Sequence, residues 1–115
     1  MSSPTQRSLK ELRECGWTAQ VVERFNPHAR VRVDLFGCID IVAIDPAGGI
    51  VGIQACAGAS HSARKAKIMA EPKMGQWLNA GGRVELWSWA KRGPRGKRKV
   101  WTLRKESITT TDAKE

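Results

Sequence analysis

The sequence predicts an α/β sandwich with a mixed sheet flanked by helices, and three observations carry that expectation. Two short apolar runs, 39–44 and 50–55, flank the turn Pro46-Ala47-Gly48-Gly49 and read as a hairpin. A basic helical stretch opens at His61, after the small-residue turn Ala57-Gly58-Ala59-Ser60. A second pair of alternating runs, 84–90 and 99–103, follows it around the turn Gly93-Pro94-Arg95-Gly96. Strand runs on both sides of a long helix point to a layered sandwich and away from a pure barrel.

Each element has a local cause. Ser2-Ser3-Pro4-Thr5 marks a helix start, Leu9, Leu12 and Cys15 give it an apolar face, and Gly16 stops it. Residues 17–25 alternate, Trp17, Ala19 and Val21 against Thr18, Gln20 and Val22, and read as one strand. Asn26-Pro27-His28 turns the chain, and the alternating residues 30–33 lead into Asp34. Ser60 is the expected cap of the helix from His61, on which Ala63, Ala66, Ile68 and Met69 can pack. Pro72 breaks that helix, and Gln76-Trp77-Leu78 completes a helical segment ending at Gly81-Gly82. The order is α-β-β-β-α-β-β, in one domain over residues 1–108 with a polar, disordered tail at 109–115.

The composition narrows the function. The chain has 115 residues, 41% of them apolar, enough for one core. Three dispersed cysteines, Cys15, Cys38 and Cys56, argue against a disulfide framework or a zinc ribbon and for a reducing compartment. No apolar run is long enough to span a membrane and no signal core precedes the first helix, so a cytoplasmic protein is expected. Twenty Lys and Arg face eleven Asp and Glu, a net charge of +9. Six of the nine residues from Lys91 to Lys99 are basic and none is acidic, so the charge is concentrated and nucleic acid is the expected partner.

The candidate chemistry sits on the first hairpin. Asp40 lies near the start of one buried strand and Gln54 near the end of the next, an arrangement able to hold a divalent metal. Gly37-Cys38-Ile39-Asp40-Ile41-Val42-Ala43 followed by Ile50-Val51-Gly52-Ile53-Gln54-Ala55-Cys56 resembles the PD-(D/E)XK nuclease superfamily. Within it the chain is most similar to small Holliday junction resolvases and phage-type nuclease modules, over roughly residues 8–90. The resemblance implies a restriction-endonuclease-like fold, a Mg2+ or Mn2+ cofactor, cleavage of structured or branched DNA, a homodimer, and, for a phage-type module, a bacterial host. Asp40 matches the family's strand-heading Asp, whereas Gln54 stands where an acid is usual and Cys56 where the lysine is usual. A family glutamate is expected on the first helix, where Thr5-Gln6-Arg7 stand and Glu11 and Glu14 come late.

The implied site is therefore Asp40 and Gln54 as catalytic residues and metal ligands, Asp34 or Glu23 as a further carboxylate, and Lys65 or Lys67 as a migrated lysine. Arg64, Lys65 and Lys67 would track a phosphate backbone, with Lys91, Arg92, Arg95, Lys97, Arg98 and Lys99 as a second anchor. Structural alternatives stand beside each. Asp40 could bond a loop amide, Gln54 a sheet edge, Asp34 a turn and Glu23 solvent, while Glu11 and Glu14 read as helix surface, His61 as an incidental histidine at a helix start before a general base or phosphate contact, and Cys56 as core packing or site lining. Trp87, Trp89 and Trp101 read as core or interface before base stacking. A non-catalytic DNA-binding module and a basic RNA-binding protein remain the rival functions.

Overall fold

The computed structural model describes residues 3–93, 96 and 98–109, and among them no helix is long and apolar enough to cross a membrane. Helix α1 (Pro4–Glu14) begins where Ser3 accepts a hydrogen bond from the Gln6 amide at 3.2 Å, with Pro4 in the first turn where its missing N–H costs nothing. Gly16, at φ 85°, ends it as expected. Cys15 caps the helix in the open, so the apolar face is Leu9 and Leu12 without it.

The run 17–25 is not one strand. It splits into β1 (Thr18–Val21) and β2 (Arg24–Asn26), which belong to different sheets. The cause is at the break: the Val22 and Glu23 amides both donate to the Asp40 carbonyl, at 2.8 and 3.3 Å. β2 pairs antiparallel with β3 (Val31–Val33) as a separate two-stranded ribbon. Alternation alone cannot reveal such a break, because the side-chain period is unchanged across it.

The first hairpin forms β4 (Ile41–Ile44) and β5 (Ile50–Ala57), antiparallel, with Ile41 opposite Ile53. Asp45 organises its turn, accepting from the Ala47 amide at 2.9 Å, while Gly48 and Gly49 take positive φ. A 3-10 turn (Gly58–Ser60) then leads into α2 (His61–Ala70). Ser60 occupies the cap position but makes no capping hydrogen bond through its side chain. The cap falls instead at α3 (Pro72–Asn79), where Glu71 accepts from the Lys73 amide at 3.2 Å. Strands β6 (Arg83–Arg92) and β7 (Val100–Ile108) close the chain, the latter longer than the alternating run suggested.

The result is an α/β fold with a five-stranded mixed sheet in the order β1-β4-β5-β6-β7 and three helices. The β4–β5 and β6–β7 pairs are antiparallel, and β6 runs parallel to β5 after the helical crossover. With the β2–β3 ribbon set aside, the order is helix, three strands, helices, two strands. Leu9 and Leu12 of α1 pack on one face with Ile41, Val51, Ile53 and Trp87. Ile68 of α2 and Met74 of α3 pack on the other with Ile39, Cys56, Val84 and Leu86. Both faces of β5 are thus covered, and its sequence reads as a nearly continuous apolar run. Of the expected tail, 109–115, residues 110–115 lie outside the described residues.

Candidate functional site

An open cleft of about 610 Å³ lies where β5 ends and β4 begins. Ser3, Pro4 and Thr5 at the start of α1 form one side, Arg64 and Lys67 of α2 another, and Glu23, Asp34, Asp40 and Gln54 also line it. The break that parts β1 from β2 carries Glu23, and the end of β3 leads to Asp34. The two-stranded ribbon therefore delivers two carboxylates to the hairpin that carries the third. Donor atoms of Glu23, Asp34 and Asp40 all lie within 4.8 Å of one another.

Asp40 is the best-held of the three. Its backbone amide donates to the Ile53 carbonyl at 2.9 Å, which fixes the residue one step before β4. Its Oδ2 accepts from the Ala55 amide at 2.8 Å and from Gln54 Nε2 at 2.9 Å. The residue is 3% exposed. Burial, followed by a hydrogen bond with Asp34, pushes its pKa from 3.8 up to about 8. The fold therefore favours the protonated form of this carboxyl.

Gln54 spends its amide N–H on Asp40, and its buried Oε1 has no hydrogen-bond partner among the described residues. An unpaired buried carbonyl oxygen is uncommon and costs about 1–3 kcal/mol. The three carboxylates form a hard, all-oxygen donor set, of a kind that suits Mg2+ or Mn2+ and disfavours soft thiophilic metals. Cys56 lines the same cleft at the position where a lysine was expected. Burial raises its thiol pKa, so it stays neutral and carries no charge to a phosphate.

The two candidate lysines part company. Lys67 lines the cleft, with Nζ 3.7 Å from Asp34 Oδ2. Lys65 does not line it, and its Nζ sits 2.5 Å from Glu106 Oε2. Glu106 also meets buried His61, whose Nε2 is 2.8 Å away, while His61 Nδ1 lies 2.7 Å from Ser88 Oγ. Those contacts with Lys65 and His61 hold the Glu106 carboxyl below its usual pKa. His61 thus joins α2 to β6 and β7 rather than facing the cleft.

No family model, curated protein or solved structure matches the chain. Of the sequence-derived residues, Glu23, Asp34, Asp40, Gln54, Cys56, Arg64 and Lys67 line the cleft. Lys65, Glu11, Glu14, Lys91, Arg92, Arg98 and Lys99 do not line it. Lys91, Arg92, Arg98 and Lys99 lie, exposed, on the β6–β7 hairpin, while Arg95 and Lys97 fall outside the described residues. Sequence reasoning missed Ser3, Thr5 and Ser60 as lining residues. Their only signal was that each sits at a helix entry, where two helices open onto one space.

Among the tryptophans, Trp87 is core, and Trp89 donates from Nε1 to Ser8 Oγ at 2.9 Å. Trp101, opposite Lys91 on β7, stays 40% exposed beneath the Arg7 guanidinium, which stands 3.5 Å from the ring centroid.

Proposed function

We propose that this cleft hydrolyses phosphodiester bonds of structured or branched DNA with Mg2+ or Mn2+. The observation that carries the reading is the convergence of Glu23, Asp34 and Asp40 within 4.8 Å beside the basic wall of Arg64 and Lys67. Carboxylates that converge this closely repel one another unless a proton or a cation sits among them. The net charge of +9 supports a polyanionic substrate. The succession of helix, antiparallel three-strand unit, helical crossover and parallel strand supports the restriction-endonuclease-like assignment suggested by the hairpin motif.

In this reading Glu23, Asp34, Asp40 and Gln54 Oε1 hold the cation. A divalent ion there supplies Lewis-acid stabilisation of the scissile phosphate and acidifies water. Arg64 and Lys67 bind the phosphate and offset charge that develops on its oxygens. At 3.7 Å the Lys67–Asp34 contact is too long for a tight charged hydrogen bond, which leaves the ammonium able to turn toward substrate. Asp40, anchored by the Ala55 amide, orients the set.

Neutral Cys56 in the expected lysine position favours a second reading, a DNA-binding module of this fold without catalysis. One experiment separates them. Labelled four-way junction, duplex and single-stranded DNA are incubated with Mg2+, Mn2+ or EDTA, with Asp40→Asn in parallel. Metal-dependent cuts that vanish in the variant support the nuclease. Binding without cleavage under either metal establishes the module.

A further inference from the structure

The cleft does not end at its acids. Asp34 and Lys67 also line an adjoining hollow with Val33, Phe36, Gly37 and Lys73. Phe36 and Lys73 in turn border a third hollow with Trp77. The three run in series from the carboxylates to a pair of aromatic rings, Phe36 and Trp77, with centroids 6.2 Å apart and planes tilted by 57°.

Phe36 is out of place by every local rule. It is 45% exposed and holds a φ of 53°, followed by Gly37 at 82°. Two consecutive positive φ values favour Asn-Gly or Gly-Gly, and a bulky side chain there is an outlier. The turn is nonetheless fixed: the Ile39 amide donates to the Leu35 carbonyl at 2.9 Å and the Gly37 amide to the Asp34 carbonyl at 3.1 Å. One rigid turn thus presents an acid to the cleft and an aromatic ring to solvent. Strained residues of this kind concentrate at ligand-contacting sites.

A half-exposed aromatic step between two lysines fits a ligand with a flat apolar face and an anionic linkage. A nucleotide has both, but a continuous duplex hides its base faces, and an unpaired base offers one. We propose that the Phe36–Trp77 step, flanked by Lys67 and Lys73, is the subsite for an unpaired nucleotide of the DNA strand that enters the cleft. The inference rests on the DNA-cleaving reading and sharpens it, since it gives the substrate single-stranded or branch-point character beside the cut.

The test is fluorescence anisotropy with labelled dT12 and a 12-base-pair duplex in EDTA, where metal-dependent cleavage is blocked. Phe36→Asn removes the ring yet suits a positive φ, so the variant is expected to fold at least as well as the parent. It should weaken dT12 binding about 10-fold, with duplex binding altered less than about 2-fold. Lys73→Gln should lower the dT12 salt slope by about 0.7. Unchanged dT12 affinity in Phe36→Asn, or equal losses for dT12 and duplex, overturns the subsite. Failure of the nuclease reading would show elsewhere, as no metal-dependent cleavage by the parent protein.

Discussion

Replacing Asp40 by Asn should stabilise this protein, and the pH dependence of that gain tests the site directly. Asn keeps an oxygen to accept from the Ala55 amide and Gln54 Nε2, and it offers Asp34 an N–H in place of the acid proton. The carboxyl pKa rises from 3.8 to about 8 on folding, through burial first and the Asp34 hydrogen bond second. The sign follows from proton linkage. Between about pH 4 and 8 the folded state holds a proton that the unfolded chain releases, so stability is highest below pH 4 and falls as pH rises to about 8. Taken in full, the change is worth about 4 kcal/mol at pH 7. Water in the open cleft screens part of it, which leaves about 1–3 kcal/mol. For a domain of this size that is about 4–12 °C in Tm. Calorimetric melts in EDTA from pH 5 to 9 should show the parent losing Tm relative to Asp40→Asn as pH rises. The reasoning is refuted if the variant is the less stable at pH 8 and the difference does not change with pH. Asp40 would then be an ordinary strand anchor.

Divalent metal should narrow that gap. With a Kd of about 1 mM, 10 mM Mg2+ stabilises the parent by about 1.4 kcal/mol, roughly 6 °C, and thermal melts of Asp40→Asn should not respond. Lys67→Ala should lower cleavage turnover at least about 100-fold in a single-turnover assay, whereas Lys65→Ala, which loses a Glu106 contact away from the cleft, should leave turnover within about 3-fold. A Cβ built at Gly52 would lie 2.6 Å from Ile39 Cδ1, so urea melts of Gly52→Ala should show a loss of about 1–3 kcal/mol. Replacing Arg98 and Lys99 by Gln should flatten the salt dependence of duplex affinity by about two in slope if the hairpin grips phosphates.

The parts of the fold legible in the sequence are those with a local cause. Pro-Ala-Gly-Gly between two apolar runs specifies the β4–β5 hairpin, and the hairpin specifies where Asp40 and Gln54 meet. The β1–β2 break was illegible, because it depends on the Asp40 carbonyl, a partner seventeen residues beyond Glu23. That break turns Glu23 into the cleft, so the residue that alternation assigns to solvent becomes part of the cluster. The choice between Lys65 and Lys67 was equally hidden. Two residues apart on a helix they point about 200° from each other, and only Glu106, contributed by β7, decides which of them is already engaged.

Two features of the cleft are hard to explain as structure alone. A buried carboxyl surrounded by acids destabilises the fold at neutral pH, and an unpaired Gln54 oxygen beside it adds a second penalty. A purely structural polar cluster is satisfied internally, as His61 is between Ser88 and Glu106. Selection for stability would favour Asn at position 40 or an apolar residue at position 54. In the proposed reading a single cation would answer both penalties, by taking the place of the proton on Asp40 and accepting the free carbonyl oxygen as a ligand. In that reading the missing strand lysine need not disable the site. At the buried position of Cys56 an ammonium would be desolvated, whereas the Lys67 side chain on α2 stays 45% exposed while reaching the same cleft. The positive charge is thus supplied from the helix, where it costs the fold least.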